Sequence, residues 1–376
     1  MVAVVLRNGY KASRADYDIG TLLASKLQKN DIGLEVEVEG NIFPKPSHHP
    51  SGVSPHKPEL IPAAWQYHKD GSLRGKDNAE YVLTKPVKFN DVEKHVNDLW
   101  DMFDKCGSVL DVSNRTSIHV HLNVQRWHLN RFASFCALYF AVEEILTAWC
   151  GEHRVGNLFC LRAKDAPALI SRIRDFIVNN GDYKFPESYH YAGFNAHALN
   201  KFGSIEIRSL RGVTDKDTLL RWVNILRHLY DLSASYPDPT KVVEGFSSEG
   251  ALSFLNSILG EHATSILEDL QWQHYQVQDA MLNGVRLVQD ICYSRDWSTF
   301  KPVSLQPDPF GRSLISKKTA QASYATQDAV AQPVGQTISM DIESAVPYQP
   351  TWMTAYQFQT LYNAPPAPHE YDEENF

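Results

Sequence analysis

Three short segments of this chain alternate strictly between aliphatic and polar residues, and the polar residues are all of a chemically active kind. Leu34, Val36 and Val38 take one phase of the first segment, and Glu35, Glu37 and Glu39 the other. Ile118, Val120 and Leu122 alternate with His119, His121 and Asn123 in the second, and Ile205 and Ile207 with Glu206 and Arg208 in Ser204–Ser209. A period of two is the mark of a β-strand with one buried face. Parallel strands covered on both faces read as continuous apolar runs, so one-sided strands call for an antiparallel sheet with helices on its aliphatic side. The fold class expected is α+β, with a polar sheet face that gathers Glu35, Glu37, His119, His121, Glu206 and Arg208.

Composition narrows the setting. The chain has 376 residues, 43% of them hydrophobic and 21% charged, with a net charge of −8. Collagen, coiled coil and a wholly disordered chain are excluded, and the charge offers no basic footprint for nucleic acid or anionic membrane. No Lys or Arg follows Lys318, whereas seven carboxylates do, so residues 1–318 hold all 36 basic residues and 37 of the 44 acidic ones. The acidity belongs to the tail. The five cysteines, at 106, 136, 150, 160 and 292, form no CxxC, and the cytoplasm is the expected compartment. The start Val2–Leu6 is too short for a secretion leader, and the apolar run Phe132–Trp149 is broken by Glu143 and Glu144, so no membrane association is expected.

The patterning divides the chain into an N-terminal extension (1–30, with a short helix near Asp18–Lys29), a folded domain (31–300) and a low-complexity acidic tail (301–376). The tail is expected to be flexible and is the segment available to a protein partner. Six prolines and three histidines in 43–62 make an extended insertion. A hairpin follows, with strands near Trp65–Lys69 and Glu80–Lys85 about an Asp70-Gly71 turn. Helices are expected from an Asn90 or Asp91 cap to Gly107, from an Asn130 cap to Gly151 with one buried stripe, over Pro167–Asn179, and from Asp215 onward.

The chemistry lies in the conjunction of the three polar phases. Glu35 and Glu37, two strand residues apart, lie about 6.7 Å from each other. Two unit charges at that separation repel by roughly 2.5 kcal/mol at an effective dielectric of ~20. A cation removes that cost. Oxygen ligands favour Mg²⁺ or Mn²⁺, and an imidazole shifts the balance toward Mn²⁺ or Zn²⁺. Taken singly, Glu-x-Glu is ordinarily a solvated face and Glu206/Arg208 a cross-strand ion pair. No GxxxxGK[ST] or GxGxxG occurs, which excludes the P-loop, Rossmann and protein-kinase devices for phosphate. A bound nucleotide would rely on cations and on Arg208 and Arg211.

The order Gly33-Leu34-Glu35-Val36-Glu37, Asp70-Gly71-Ser72-Leu73 leading to Glu80, His119-Val120-His121, Asn195, and Gly203-Ser204-Ile205-Glu206-Ile207-Arg208 resembles the amidoligase family. These are carboxylate–amine ligases of the glutamine synthetase fold from bacteria and phages. The resemblance spans about residues 31–233. It implies a funnel-like antiparallel sheet with helices on its outer face, and an enzyme that uses ATP and Mg²⁺ (Mn²⁺ as the alternative) to join a carboxylate and an amine, borne by an amino acid, peptide or protein. By motif match, Glu35, Glu37, Glu80, His121 and Glu206 would hold metal. Arg208, Arg211, His119 and His121 would contact nucleotide, and Arg208, Glu37 and Glu206 would carry catalysis. Arg154, Asn157 and Asn195 would position substrate, and a further carboxylate, Glu39 being one option, would take the ammonium proton. The alternatives are a metal-dependent hydrolase built on His-x-His, which would need ligands such as His190 or His197, and a noncatalytic assembly or adaptor protein that keeps the fold.

Overall fold

A computed structural model of the chain describes residues 17–23, 26–42, 60–74 and 78–300. All of them belong to the first of two compact units, Met1–Ser323. The expected tail, nearly all of the Pro/His-rich insertion and most of the N-terminal extension lie outside the described residues.

Seven antiparallel strands form one open sheet: β1 (Ile32–Asn41), β2 (Trp65–His68), β3 (Ala79–Leu83), β4 (Val109–Asp111), β5 (Ser117–Asn123), β6 (Phe194–Asn195) and β7 (Ser204–Arg211). Their order is β2-β3-β1-β5-β7-β6, with β4 paired to the end of β1. The alternation in the sequence explains the layering. Leu34, Val36, Val38, Ile118, Val120, Ile205 and Ile207 are buried on one face, where helices cover them.

Among the described residues ten helices follow the same chain order: α1 (Ile19–Leu22), α2 (Val92–Lys105), α3 (Leu129–Trp149), α4 (Pro167–Val178), α5 (Ala198–Phe202), α6 (Lys216–Leu232), α7 (Thr240–Glu249), α8 (Ala251–Leu259), α9 (His262–Leu270) and α10 (His274–Cys292). Against the aliphatic face, Phe103 of α2 meets Tyr81 edge to face at 5.2 Å, Phe140 of α3 lies 4.8 Å from Phe194, and Tyr230 of α6 donates to the Asn123 carbonyl. On the polar face the short α5 reaches in at one end, setting Phe202 edge-on to His121 at 5.7 Å.

Several elements differ from the sequence reading. α3 carries buried residues on every side rather than one stripe, because it runs through the middle of the helical layer. It is the one described helix long and apolar enough to cross a membrane, and 89% of that window is buried inside the fold. Its N-cap is His128; the Asn130 side chain donates instead to the Pro237 carbonyl. α10 packs so closely on α3 that a Cβ at Gly284 would stand 2.5 Å from the Ala141 carbonyl oxygen. The expected helix near 18–29 is reduced to the four residues of α1, since Gln125 takes the backbone beyond it, accepting from Gln28 N–H and donating to the Lys26 carbonyl.

β7 runs two residues past its expected end. Val120 pairs with Ile207 but Ile118 with Leu210, so Arg208 and Ser209 together oppose His119 in a β-bulge. The bulge resets the phase. Leu210 enters the core although it follows Glu206 and Arg208 at even spacing, and the Ser209 hydroxyl meets Tyr139 Oη of α3 at 3.1 Å.

Candidate functional site

The register brings the polar phases together. Glu35 lies opposite His119 across β1–β5, Glu37 opposite Glu80 across β1–β3, and His121 opposite Glu206 across β5–β7. β6 adds Asn195 beside Glu206. Side chains from five strands thus meet at one place, where Glu37 and Glu206 are only 4% and 5% exposed.

Two groups of ligand atoms lie within 4.8 Å of one another: Glu35, His119 and Glu206, and Glu37, Glu80 and His119. His119 belongs to both. Its Nδ1 is 2.9 Å from Glu35 Oε2 and 3.6 Å from Glu206 Oε1, and its Nε2 is 3.7 Å from Glu37 Oε1. His121 stands at the flank, its Nε2 3.1 Å from Glu35 Oε1 and 3.9 Å from Glu206 Oε2. Arg208 closes the other side, donating to Glu206 Oε1 and lying 3.4 Å from His119 Nδ1.

The carboxylates are held by donors from the same sheet. Asn195 Nδ2 donates to Glu206 Oε2 at 2.5 Å. The backbone N–H and hydroxyl of Ser117 both donate to Glu37 Oε2, at 2.7 and 2.6 Å, and Ser117 Oγ is 2.7 Å from His119 Nε2. Ser117 escaped the sequence reading, although it extends the polar phase of β5 by one step. Glu39 accepts from the Arg74 N–H and belongs to neither ligand group.

The electrostatics are those of an acidic face short of positive charge. Burial, and then the charges of Glu35, Glu37 and Asp70, push Glu80 up to about 9. Burial depresses His121, but Glu206 and Glu35 outweigh it and raise this imidazole to about 9. Burial raises Glu35 and Glu206, and their cationic neighbours, His121 foremost, bring both below the usual carboxylate range.

Three of the expected site residues are placed elsewhere. Arg154, expected to position substrate, is 1% exposed and donates to the Ser209 and Arg208 carbonyls, so it braces the bulge of β7 from within. Arg211, expected at phosphate, donates to the Cys150 carbonyl at 2.9 Å and so holds the C-terminal end of α3. Asn157 ties its own loop to the Asn114 carbonyl. The histidines considered for a hydrolase are also committed elsewhere: His190 and His197 bond to the Glu187 and Phe185 carbonyls.

Beside the carboxylates a cavity of about 300 Å³ opens where β1 begins and β5 ends. Gly33, Glu35, His121, Val82 and Phe202 line it, with Lys26, Lys85 and Lys201 at its edge. None of these lysines has an ion-pair partner among the described residues.

Against models of known protein families and against curated proteins, the chain has no match.

Proposed function

We propose that this chain is an ATP- and Mg²⁺-dependent carboxylate–amine ligase that forms an amide through an acyl phosphate, with its open sheet serving as the funnel of a glutamine synthetase-type fold. The observation that carries the reading is the pair of ligand groups sharing His119 on one buried sheet face, with the Arg208 guanidinium beside them. The donor set fits divalent cations: four carboxyls and an imidazole stand together, and burial, with the neighbouring carboxylates after it, pushes Glu80 up to about 9. The resemblance in motif order supports the same assignment.

In this reading Glu35, His119 and Glu206 hold one cation, and Glu37 and Glu80 hold the other. Cations held there would supply positive charge to screen the phosphates of ATP. The cavity lined by Val82 and Phe202 takes the nucleoside end, and His121 lies between that cavity and the carboxylates. Arg208 faces the transferring phosphoryl group, where its planar donors offset the charge that develops. Asn195, through Glu206, keeps one carboxylate oriented.

A substrate carboxylate attacks the γ-phosphorus, ADP leaves, and an amine then displaces phosphate from the acyl phosphate to give the amide. The test is a screen of acid and amine pairs for ADP release with Mg²⁺ present. Turnover that requires ATP, acid and amine together supports the ligase. Metal-dependent hydrolysis without ATP would overturn it in favour of a hydrolase, and no nucleotide binding at all would favour an adaptor.

A further inference from the structure

Ser117 belongs to neither ligand group, yet its hydroxyl touches Glu37 of one group and His119, which is common to both. It opens β5, two residues before His119 and opposite Arg211, and is 4% exposed. Its Oγ lies 2.6 Å from Glu37 Oε2 and 2.7 Å from His119 Nε2. A hydroxyl has one proton to give. Glu37 Oε2 already accepts from the backbone N–H of Ser117 at 2.7 Å, so the same oxygen takes the hydroxyl proton, and Ser117 Oγ is left to accept from His119. Nε2 of His119 must therefore carry hydrogen.

The consequence falls on the other ring nitrogen. Nδ1 points between Glu35 Oε2 and Glu206 Oε1, so a cation seated between these carboxylates would displace the hydrogen that Nδ1 directs at Glu35 and take its lone pair, while Nε2 keeps its own hydrogen for the hydroxyl. Nε2 itself, capped by the hydroxyl, is withdrawn from the Glu37 and Glu80 group. One imidazole that geometry offers to two cation sites is thereby committed to one of them.

We propose that Ser117 is a positioning residue that fixes the tautomer of His119 and assigns it to the Glu35/Glu206 cation site, leaving the Glu37/Glu80 site to oxygen ligands alone. This rests on the divalent-cation reading above. It makes the two sites unequal in kind: one accepts a cation that tolerates nitrogen, such as Mn²⁺ or Zn²⁺, and the other selects a hard cation such as Mg²⁺. Outer partners of this sort typically govern metal affinity by 10–100-fold.

The experiment uses the full chain, labelled with ¹⁵N-histidine, loaded with Zn²⁺ and observed by two-bond ¹H–¹⁵N spectroscopy, with His119→Gln to assign the signal. Wild type is expected to show His119 protonated at Nε2 with Nδ1 shifted by the metal. Ser117→Thr should preserve that pattern. Ser117→Ala should lose the fixed tautomer and bind Zn²⁺ at least tenfold more weakly, with an unchanged thermal midpoint in chelator. Ser117→Cys, a weaker donor of similar size, should lie between and covers the case in which the alanine variant is unstable. An Nδ1-protonated His119 in wild type, or Zn²⁺ affinity and tautomer unchanged in both the alanine and cysteine variants, would overturn the proposal. Wild type that binds no Zn²⁺, or Glu35→Gln that binds it as well as wild type does, would instead overturn the cation reading beneath it.

Discussion

Glu37 and Glu80 stand directly opposite each other on neighbouring strands, two carboxyls side by side on a buried face. Such a pair is destabilising when both are charged. The protein relieves it by keeping Glu80 protonated, its carboxyl pushed up to about 9 first by burial and then by the charges around it.

That proton makes stability depend on pH in a direction opposite to the usual carboxylate. Below about pH 4.5 folded and unfolded chains both hold it, and above that the unfolded chain gives it up while the folded one retains it to about 9. The folded state binds more protons across this window, so the group's contribution falls as pH rises. In chelator, Glu80→Gln is expected to match wild type near pH 4 and to exceed it by about 1–3 kcal/mol at pH 8. Urea unfolding at the two pH values checks this; a constant difference between the proteins would remove Glu80 as the source.

Cation binding should expel the same proton. Adding Mn²⁺ to chelated protein at pH 7 in weak buffer is expected to acidify the solution by at least one proton per chain, because metal ligands must be deprotonated. Glu80→Gln should lower that release by about one proton while still binding the ion at the Glu35 group. Release that is equal in the two proteins would place the proton elsewhere.

Arg208 is the residue where charge and shape can be separated. Arg208→Lys keeps the charge beside Glu206 but loses the planar fork that matches a phosphoryl group. The expected result is a thermal midpoint near wild type and at least a tenfold loss of Mg-ATP-dependent ADP formation, about 1.4 kcal/mol of transition-state stabilisation. Equal activity, measured with a validated acid and amine pair, would strike Arg208 from the catalytic residues and weaken the ligase reading.

Gly284 tests the helical layer. Alanine in a helix interior is ordinarily better than glycine by about 1 kcal/mol. Here the added methyl would meet the Ala141 and Phe140 carbonyl oxygens at 2.5 and 2.6 Å. Gly284→Ala is therefore expected to destabilise the protein by about 2–3 kcal/mol, read from the midpoint of urea unfolding.

Much of the site was legible because the chemistry rides on a strict period of two. Glu35, Glu37, His119, His121, Glu206 and Arg208 lie on the face that their spacing implies. What escaped depends on contacts that spacing does not record. The bulge at Arg208 and Ser209 breaks the period, which hid the last two residues of β7. β4 and β6 have three and two residues, too short for any periodicity to show. An arginine's letter does not tell whether its donors meet a phosphate or a carbonyl, and Arg154 and Arg211 both meet carbonyls. Ser117 is a common residue at a strand end, and only the two atoms within its reach set it apart.

The two faces of β1 also check one another. A slip of one residue against β5 would carry Glu35 and Glu37 beneath the helices and turn Leu34 and Val36 toward water. A slip of one therefore cannot keep a sound core, so a chain that buries this aliphatic face has turned its carboxylates to the polar one. The hydrophobic layer in this way acts as proofreader for the polar one, and variation in the core is constrained by chemistry it never touches.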